Sequence, residues 1–94
     1  MNEPLFKKIC SKYVTGVTVI TSRKDKINYG FTANSFTSVS INPLLVLFCL
    51  KNDSSSVKAL EVGSHFVINI LSETQSKICD NFSNNKLDHF ERFI

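Results

Sequence analysis

Gly30-Phe31-Thr32-Ala33-Asn34-Ser35-Phe36-Thr37-Ser38-Val39-Ser40 is the stretch around which the 94-residue chain is organised. It is dense in hydroxyls, Asn34 adds an amide, and it carries no charge. Gly30, Ala33 and Ser35 are small enough to let a ligand approach the backbone closely. Phe31, Phe36 and Val39 are interleaved with the polar residues, so one side of the stretch can face a core. Two readings follow from these residues alone. The surface suits a polar, hydrogen-bonding ligand better than a metal or a proton-transfer step. It also describes a half-buried strand and turn whose Ser and Thr face water.

Upstream, Val17-Thr18-Val19-Ile20-Thr21 is strongly β-prone. Arg23-Lys24-Asp25-Lys26 reads as a polar turn, and Ile27 to Ala33 resumes an extended pattern, which predicts a β-hairpin over residues 16–33. Before it, Pro4 fits a first helical position, where its missing N–H costs nothing. The spacing predicts a helix over residues 4–12, with Leu5, Phe6, Ile9, Cys10 and Tyr13 on one buried face and Lys7, Lys8 and Lys12 elsewhere. Val14, Thr15 and Gly16 end it.

Downstream, Asn42-Pro43 is a break, because the residue before a proline is pushed out of the helical region. Leu44-Leu45-Val46-Leu47-Phe48-Cys49-Leu50 is a continuous apolar run whose length suits a strand buried on both faces. Lys51-Asn52-Asp53 ends it. Ser54-Ser55-Ser56 precedes a short predicted helix over Val57–Val62, closed by Gly63. Serines there satisfy free N–H groups, and the same N–H groups can hold a phosphate. His65 to Leu71 reads as a strand. Ser72-Glu73-Thr74-Gln75 is a capping box with Ser72 as N-cap, opening a helix through Ile78, Cys79 and Phe82 that Asn84-Asn85 breaks. The last residues include Phe90, Phe93 and Ile94. A finished domain rarely stops on exposed hydrophobic residues, so the chain is expected to be cut off or partnered. The strands lack strict βαβ alternation, so the expected architecture is mainly β with short helices, paired antiparallel in a small barrel, as one domain over residues 1–94.

The totals exclude several classes. An apolar fraction of 43% with 20% charge is ordinary for a globular chain. The net charge is +3, but the basic residues are scattered, so no nucleic-acid patch is expected. Only a weak attraction to anionic small molecules follows. Cys10, Cys49 and Cys79 form no C-x-x-C pair and have no zinc spacing; they read as reduced, buried thiols, with Cys49 inert in its apolar run. The N-terminus lacks a signal-peptide pattern and no apolar run is long enough to span a bilayer, so a cytoplasmic protein without a membrane partner is expected. His65 and His89 read as structural or solvent-facing, and Asp80, Asp88 and Glu91 as a solvated face. No Ser-His-Asp arrangement, G-x-G-x-x-G or Walker pattern occurs. The residues themselves offer no acid, base or nucleophile, so an enzyme built on them would rely on a cofactor.

In order along the chain, Thr15-Gly16-Val17-Thr18-Val19-Ile20-Thr21, the stretch Gly30 to Ser40, Asn42-Pro43, the run to Leu50-Lys51, Ser54, Ser56, Phe66 to Leu71, Gln75 and Phe82 resemble the flavin reductase-like domain. The resemblance implies an antiparallel split β-barrel of the FMN-binding type that dimerises, with flavin near the subunit interface. It implies that Thr32, Ala33, Asn34 and Ser35 lie along the isoalloxazine and ribityl. Ser38 and Ser40 match positions around the ribityl chain and phosphate, and Lys51, Ser54 and Ser56 match the segment completing the phosphate site. The implied activity is NAD(P)H-dependent flavin reduction, with hydride passing from nicotinamide to flavin N5, FMN or alternatively FAD as cofactor, and no catalytic side chain. The implied partners are a second copy of the chain and a monooxygenase component. The chain departs from the family in carrying Pro43-Leu44 where two prolines are usual. The family domain also continues past the point equivalent to Ile94, through later barrel strands and a Gly-Asp-His-type segment associated with nicotinamide, so the barrel is expected to be incomplete at the C-terminus. The alternative expectation is a non-catalytic flavin-binding or dimerisation module, a truncated remnant of such a reductase.

Overall fold

The central hairpin is made by β1, Thr18–Lys24, and β2, Ile27–Ala33, paired antiparallel from Thr18↔Ala33 to Lys24↔Ile27. The structure is a computed structural model and describes residues 2–12, 15–84 and 86–93. Only Asp25 and Lys26 connect the two strands, with φ of 51° and 67°. Two consecutive left-handed residues make the mirror-image turn whose twist matches that of the strands it joins. The polar turn read from residues 23–26 is therefore half strand: Arg23 and Lys24 stay in the ladder.

β1 is central because a third strand, β5 (Phe66–Ile70), pairs antiparallel with its other edge, giving the order β2-β1-β5. Being paired on both sides buries β1, and Val19 and Ile20 are its most deeply enclosed apolar residues. Ile20, Phe31 and Ala33 form the core cluster, and Phe48, Leu50, Leu60 and Ile68 pack against it. β3 (Thr37–Ser40) and β4 (Leu45–Leu47) form a separate two-stranded antiparallel sheet with an irregularity between Ser38 and Ser40. The turn between them contains a cis Asn42–Pro43 peptide. The architecture is mainly β with short helices, the strand pairs are all antiparallel, and the two sheets do not close on each other among the described residues.

The apolar run over residues 44–50 departs from its expected burial. Only Leu45–Leu47 is strand, and Leu44 to Leu47 are all exposed. A strand buried on both faces needs a layer packed on each, and among the described residues β4 sits in a two-stranded sheet with β3 that leaves its side chains exposed. Phe48 and Leu50, just beyond it, are the members of the run that turn to the core. Cys49 is exposed, as is Cys10, and Cys79 is half-buried, which corrects the expectation of buried thiols.

Helix α1 spans Glu3–Cys10, with the Asn2 side chain accepting from the Leu5 N–H at 2.9 Å. Its apolar face forms as the spacing predicts, but Leu5, Phe6 and Ile9 are all exposed. Tyr13 and Val14, also used in that reading, lie outside the described residues, as do Asn85 and Ile94. A radius of gyration of 14.5 Å exceeds the roughly 12 Å of a closed domain of this length.

The helix expected over Val57–Val62 is a single 3₁₀ turn, Val57–Ala59, and Ser56 before it makes no side-chain capping bond. One turn sums too few peptide dipoles to hold an anion at its start. Tertiary bonds take its carbonyls instead: Lys24 Nζ donates to Lys58 O at 3.0 Å and also ion-pairs with Glu61. That carboxylate holds the Lys24 ammonium above its usual pKa. Helix α2 spans Ser76–Ser83, one turn later than the capping box implied. Half of the box forms, since the Ser72 N–H donates to Gln75 Oε1 at 2.8 Å, while Ser72 Oγ pairs with Thr74 Oγ1.

A left-handed residue with a Cβ costs about 1–2 kcal/mol. Lys26→Gly should therefore stabilise the chain by about 1 kcal/mol, read as a higher midpoint in urea unfolding with an unchanged slope.

Candidate functional site

The C-terminal end of β2 opens into a cleft of about 830 Å³, walled by Phe31 to Ser35, by residues 49–51 and 53–55, by the end of α2 and by the segment carrying Leu87 and Arg92. Thr32, Ala33, Asn34, Ser35, Lys51 and Ser54 all line it, although Lys51 and Ser54 follow β2 by about twenty residues in sequence. Ser38 and Ser40 do not. They lie on β3, and Ser40 Oγ donates to Pro43 O. Ser56 is not on the cleft wall either: it is 1% exposed, and its hydroxyl has no partner among the described residues.

Several hydroxyls of the cleft are already spent on the fold. Thr32 Oγ1 donates to Cys79 O at 2.7 Å, tying β2 to α2. Ala33 O accepts from Thr18 Oγ1 at 2.7 Å within the buried hairpin. Ser35 Oγ accepts from the Cys49 N–H at 2.9 Å and so joins the β2–β3 loop to the segment leading to Lys51. Two polar ends are left over. The Asn34 side chain makes no hydrogen bond, and Lys51 no ion pair, to any described residue; both are exposed.

Gly30 has a different role from close ligand approach. A Cβ there would lie 2.5 and 2.7 Å from two atoms of the Phe82 ring and 3.1 Å from Phe93. The Phe82 ring is itself held edge-on by Phe93, with ring centroids 5.0 Å apart. The missing side chain admits the protein's own aromatic pair, so Gly30 serves packing.

The far wall comes from residues 87–92, which the sequence reading did not place at a site. Arg92 is buried and reaches back to β2: Nη1 donates to Gly30 O at 2.9 Å and Nη2 to Asn84 O at 3.2 Å. Asp88 and Glu91 cap each other's backbone, with the Glu91 N–H on Asp88 Oδ1 at 2.8 Å and the Asp88 N–H on Glu91 Oε1 at 3.1 Å. His89 stands edge-on to the buried Tyr29 ring, with centroids 4.4 Å apart. Burial, then the Arg92 charge, holds the His89 pKa below its usual value. The clue in sequence was a lone Arg between aromatics in Phe90-Glu91-Arg92-Phe93, but nothing local says that it folds back sixty residues.

The cleft can bind and orient a polar ligand through an amide, an ammonium and backbone groups. Among the described residues no three His, Cys, Asp or Glu side chains are grouped to hold a metal ion. No helix of the described residues is long and apolar enough to cross a membrane.

Comparison with known proteins shows the family. Residues 10–93 match the family described as "Flavin reductase like domain". The reductase subunit HsaB of a flavin-dependent monooxygenase from Mycobacterium tuberculosis is 36% identical over 85 residues, covering 90% of this chain and 46% of its own. The FMN reductase (NADH) SmoA of Agrobacterium fabrum is 37% identical over 84 residues, covering 89% of this chain and 48% of its own. Among solved structures, an NADH:FAD oxidoreductase of Streptomyces globisporus, in complex with NAD and FAD fragments, superposes with a TM-score of 0.83 at 33% identity. That match covers 97% of this chain and 57% of the other. The chain thus spans about half the length of the curated relatives it matches.

Two measurements check the packing of this region. Gly30→Ala should destabilise the chain by roughly 1–3 kcal/mol, because its Cβ would displace the Phe82 ring from its edge-on contact with Phe93, and this reads as a lower unfolding midpoint. His89 binds its proton less readily folded than unfolded, so below about pH 6.5 the unfolded state holds more protons and stability falls as pH falls. His89→Gln should flatten that acid-side decline in urea midpoints between pH 7 and pH 5.

Proposed function

Since this chain belongs to the flavin reductase-like domain family, we propose that it binds a flavin in the cleft beside β2 and serves hydride transfer from NAD(P)H to that flavin. The observation that carries this reading is the convergence of Thr32 to Ser35 with Lys51 and Ser54 on one cleft wall. The fit is chemical as well as spatial. An uncharged hydrogen-bonding surface, with the free Asn34 amide, suits a ring edged by carbonyls and ring nitrogens. The Lys51 ammonium and the Ser54 segment suit a phosphate. The bound flavin supplies the electron-accepting chemistry.

In this reading Thr32, Ala33, Asn34 and Ser35 orient the ring and ribityl chain, while Lys51 and Ser54 hold the phosphate end. Positioning is the main contribution such residues can make to hydride transfer. Ser35 acts through its bond to the Cys49 N–H, which fixes the spacing between the two groups of contacts. Ser38, Ser40 and Ser56 remain proposed ribityl and phosphate contacts that the single chain does not bring to the cleft. FMN is the expected cofactor, with FAD as the alternative, and NAD(P)H the co-substrate. The exposed apolar faces of α1 and of the β3–β4 sheet favour a homodimer. A monooxygenase component is the proposed recipient of the reduced flavin, as the name of the Mycobacterium relative indicates for that protein, and the cytoplasm the proposed compartment.

One observation favours a second reading, a flavin-binding or dimerisation module without turnover: the two sheets do not close among the described residues. A visible-absorption titration with FMN and FAD, followed by flavin-dependent oxidation of NADH and NADPH, separates the two. Binding with nicotinamide oxidation is the expected result, and binding without it supports the module. A folded chain that binds neither flavin overturns both.

A further inference from the structure

Arg92 is 8% exposed, yet arginine is a cation with five N–H donors and no acceptor. Among the described residues the ion pairs are Glu3–Lys7 and Lys24–Glu61, so Arg92 has no carboxylate partner. Its two hydrogen bonds to described residues go to carbonyls, Gly30 O and Asn84 O, and Nε is buried with no partner among the described residues. Carbonyls offer only partial negative charge. The carboxylates along the same cleft, Asp53 and Asp88, belong to exposed residues, and Asp88 is committed to the Glu91 N–H. A buried cation without a counter-ion is costly, and it gains most from an anion brought against it where water is excluded. Lys51, the other cation of the cleft, is exposed and so is screened.

We propose that Arg92 is the charge-recognising residue of this cleft and that the negatively charged part of the ligand lies against its guanidinium. The inference rests on the flavin reading above. A flavin offers negative charge from two sources: the phosphate monoester, and the N1–C2=O edge of the ring, which takes up charge once hydride has been added at N5. Arg92 thus has two jobs. It closes the C-terminal segment onto β2 and sets the electrostatic preference of the wall so formed.

The test compares wild-type chain, Arg92→Met and Arg92→Lys for binding of FMN and of riboflavin, which shares the ring and lacks the phosphate. It also measures the two-electron potential of bound riboflavin. If the phosphate faces Arg92, Arg92→Met weakens FMN at least tenfold and leaves riboflavin unchanged. If the ring edge faces it, oxidised riboflavin binds as before. The potential then falls by about 30 mV for each tenfold loss in preference for the reduced form. In either case Arg92→Lys, which keeps the charge without the fork, retains most of the effect of the native residue. An equal loss of FMN and riboflavin with an unchanged potential, or no change in any of the three, overturns the proposal and leaves Arg92 a structural clamp. Should Arg92→Met not fold, Arg92→Lys decides: loss of the FMN preference and of the potential shift in a folded Lys variant overturns it. A wild-type chain that binds neither flavin overturns the flavin reading itself, and the inference falls with it.

Discussion

The pairing of β1 on both of its edges is the constraint on which the rest of the molecule depends. β2 and β5 together occupy both edges of the strand from Thr18 to Ser22, and the ladder is extended by the Leu71 N–H on Val17 O at 3.0 Å. Asn69 Nδ2 adds a donor to Val19 O at 2.9 Å. A strand with both edges paired and one face on a core has little freedom left, so Ile20 is fully buried in a chain that buries little else. The end of β2 inherits that rigidity. Thr18 Oγ1 on Ala33 O fixes where β2 stops and where the Asn34–Phe36 loop begins. The cleft is therefore built on the most constrained part of the fold.

That rigidity accounts for the way polar groups are divided in the cleft. Thr32 and Ser35 look like ligand contacts by composition, yet their hydroxyls bond Cys79 O and the Cys49 N–H. They still line the wall, and each can add a second bond, because a hydroxyl donates once and accepts twice. Their first commitment is to hold α2 and the segment before Lys51 in place. Asn34 and Lys51, with no such commitment, are the residues free to answer a ligand. Sites commonly combine anchored and free polar groups in this way, since a contact is only as well placed as the element carrying it.

The exposed apolar surface is the counterpart of this compact centre. Leu5, Phe6 and Ile9 on α1, and Leu44 to Leu47 around β4, expose half or more of their surface in several cases. Their periodicity is that of buried faces. Among the described residues nothing covers them, and the two sheets stay separate.

By itself the sequence determined the local elements. The β-branched run at Val17 to Thr21, a polar turn within residues 23–26 and the Gln75 side chain reaching back to Ser72 were all legible, because each depends on residues near one another in the chain, although only Asp25 and Lys26 prove to be the turn. The neighbouring residues Thr32 to Ser35 were legible as candidate contacts for the same reason. Tertiary structure decided the rest. It cut the Val57 helix to one turn by drawing Lys58 O onto Lys24, and it gave Gly30 to the Phe82 ring instead of to a ligand. It separated Ser38, Ser40 and Ser56 from the cleft and brought in His89 and Arg92 from the far end of the chain. Burial, counter-charge and close approach are properties of what lies opposite a residue in space, and no local pattern encodes a contact across the sixty-two positions between Gly30 and Arg92.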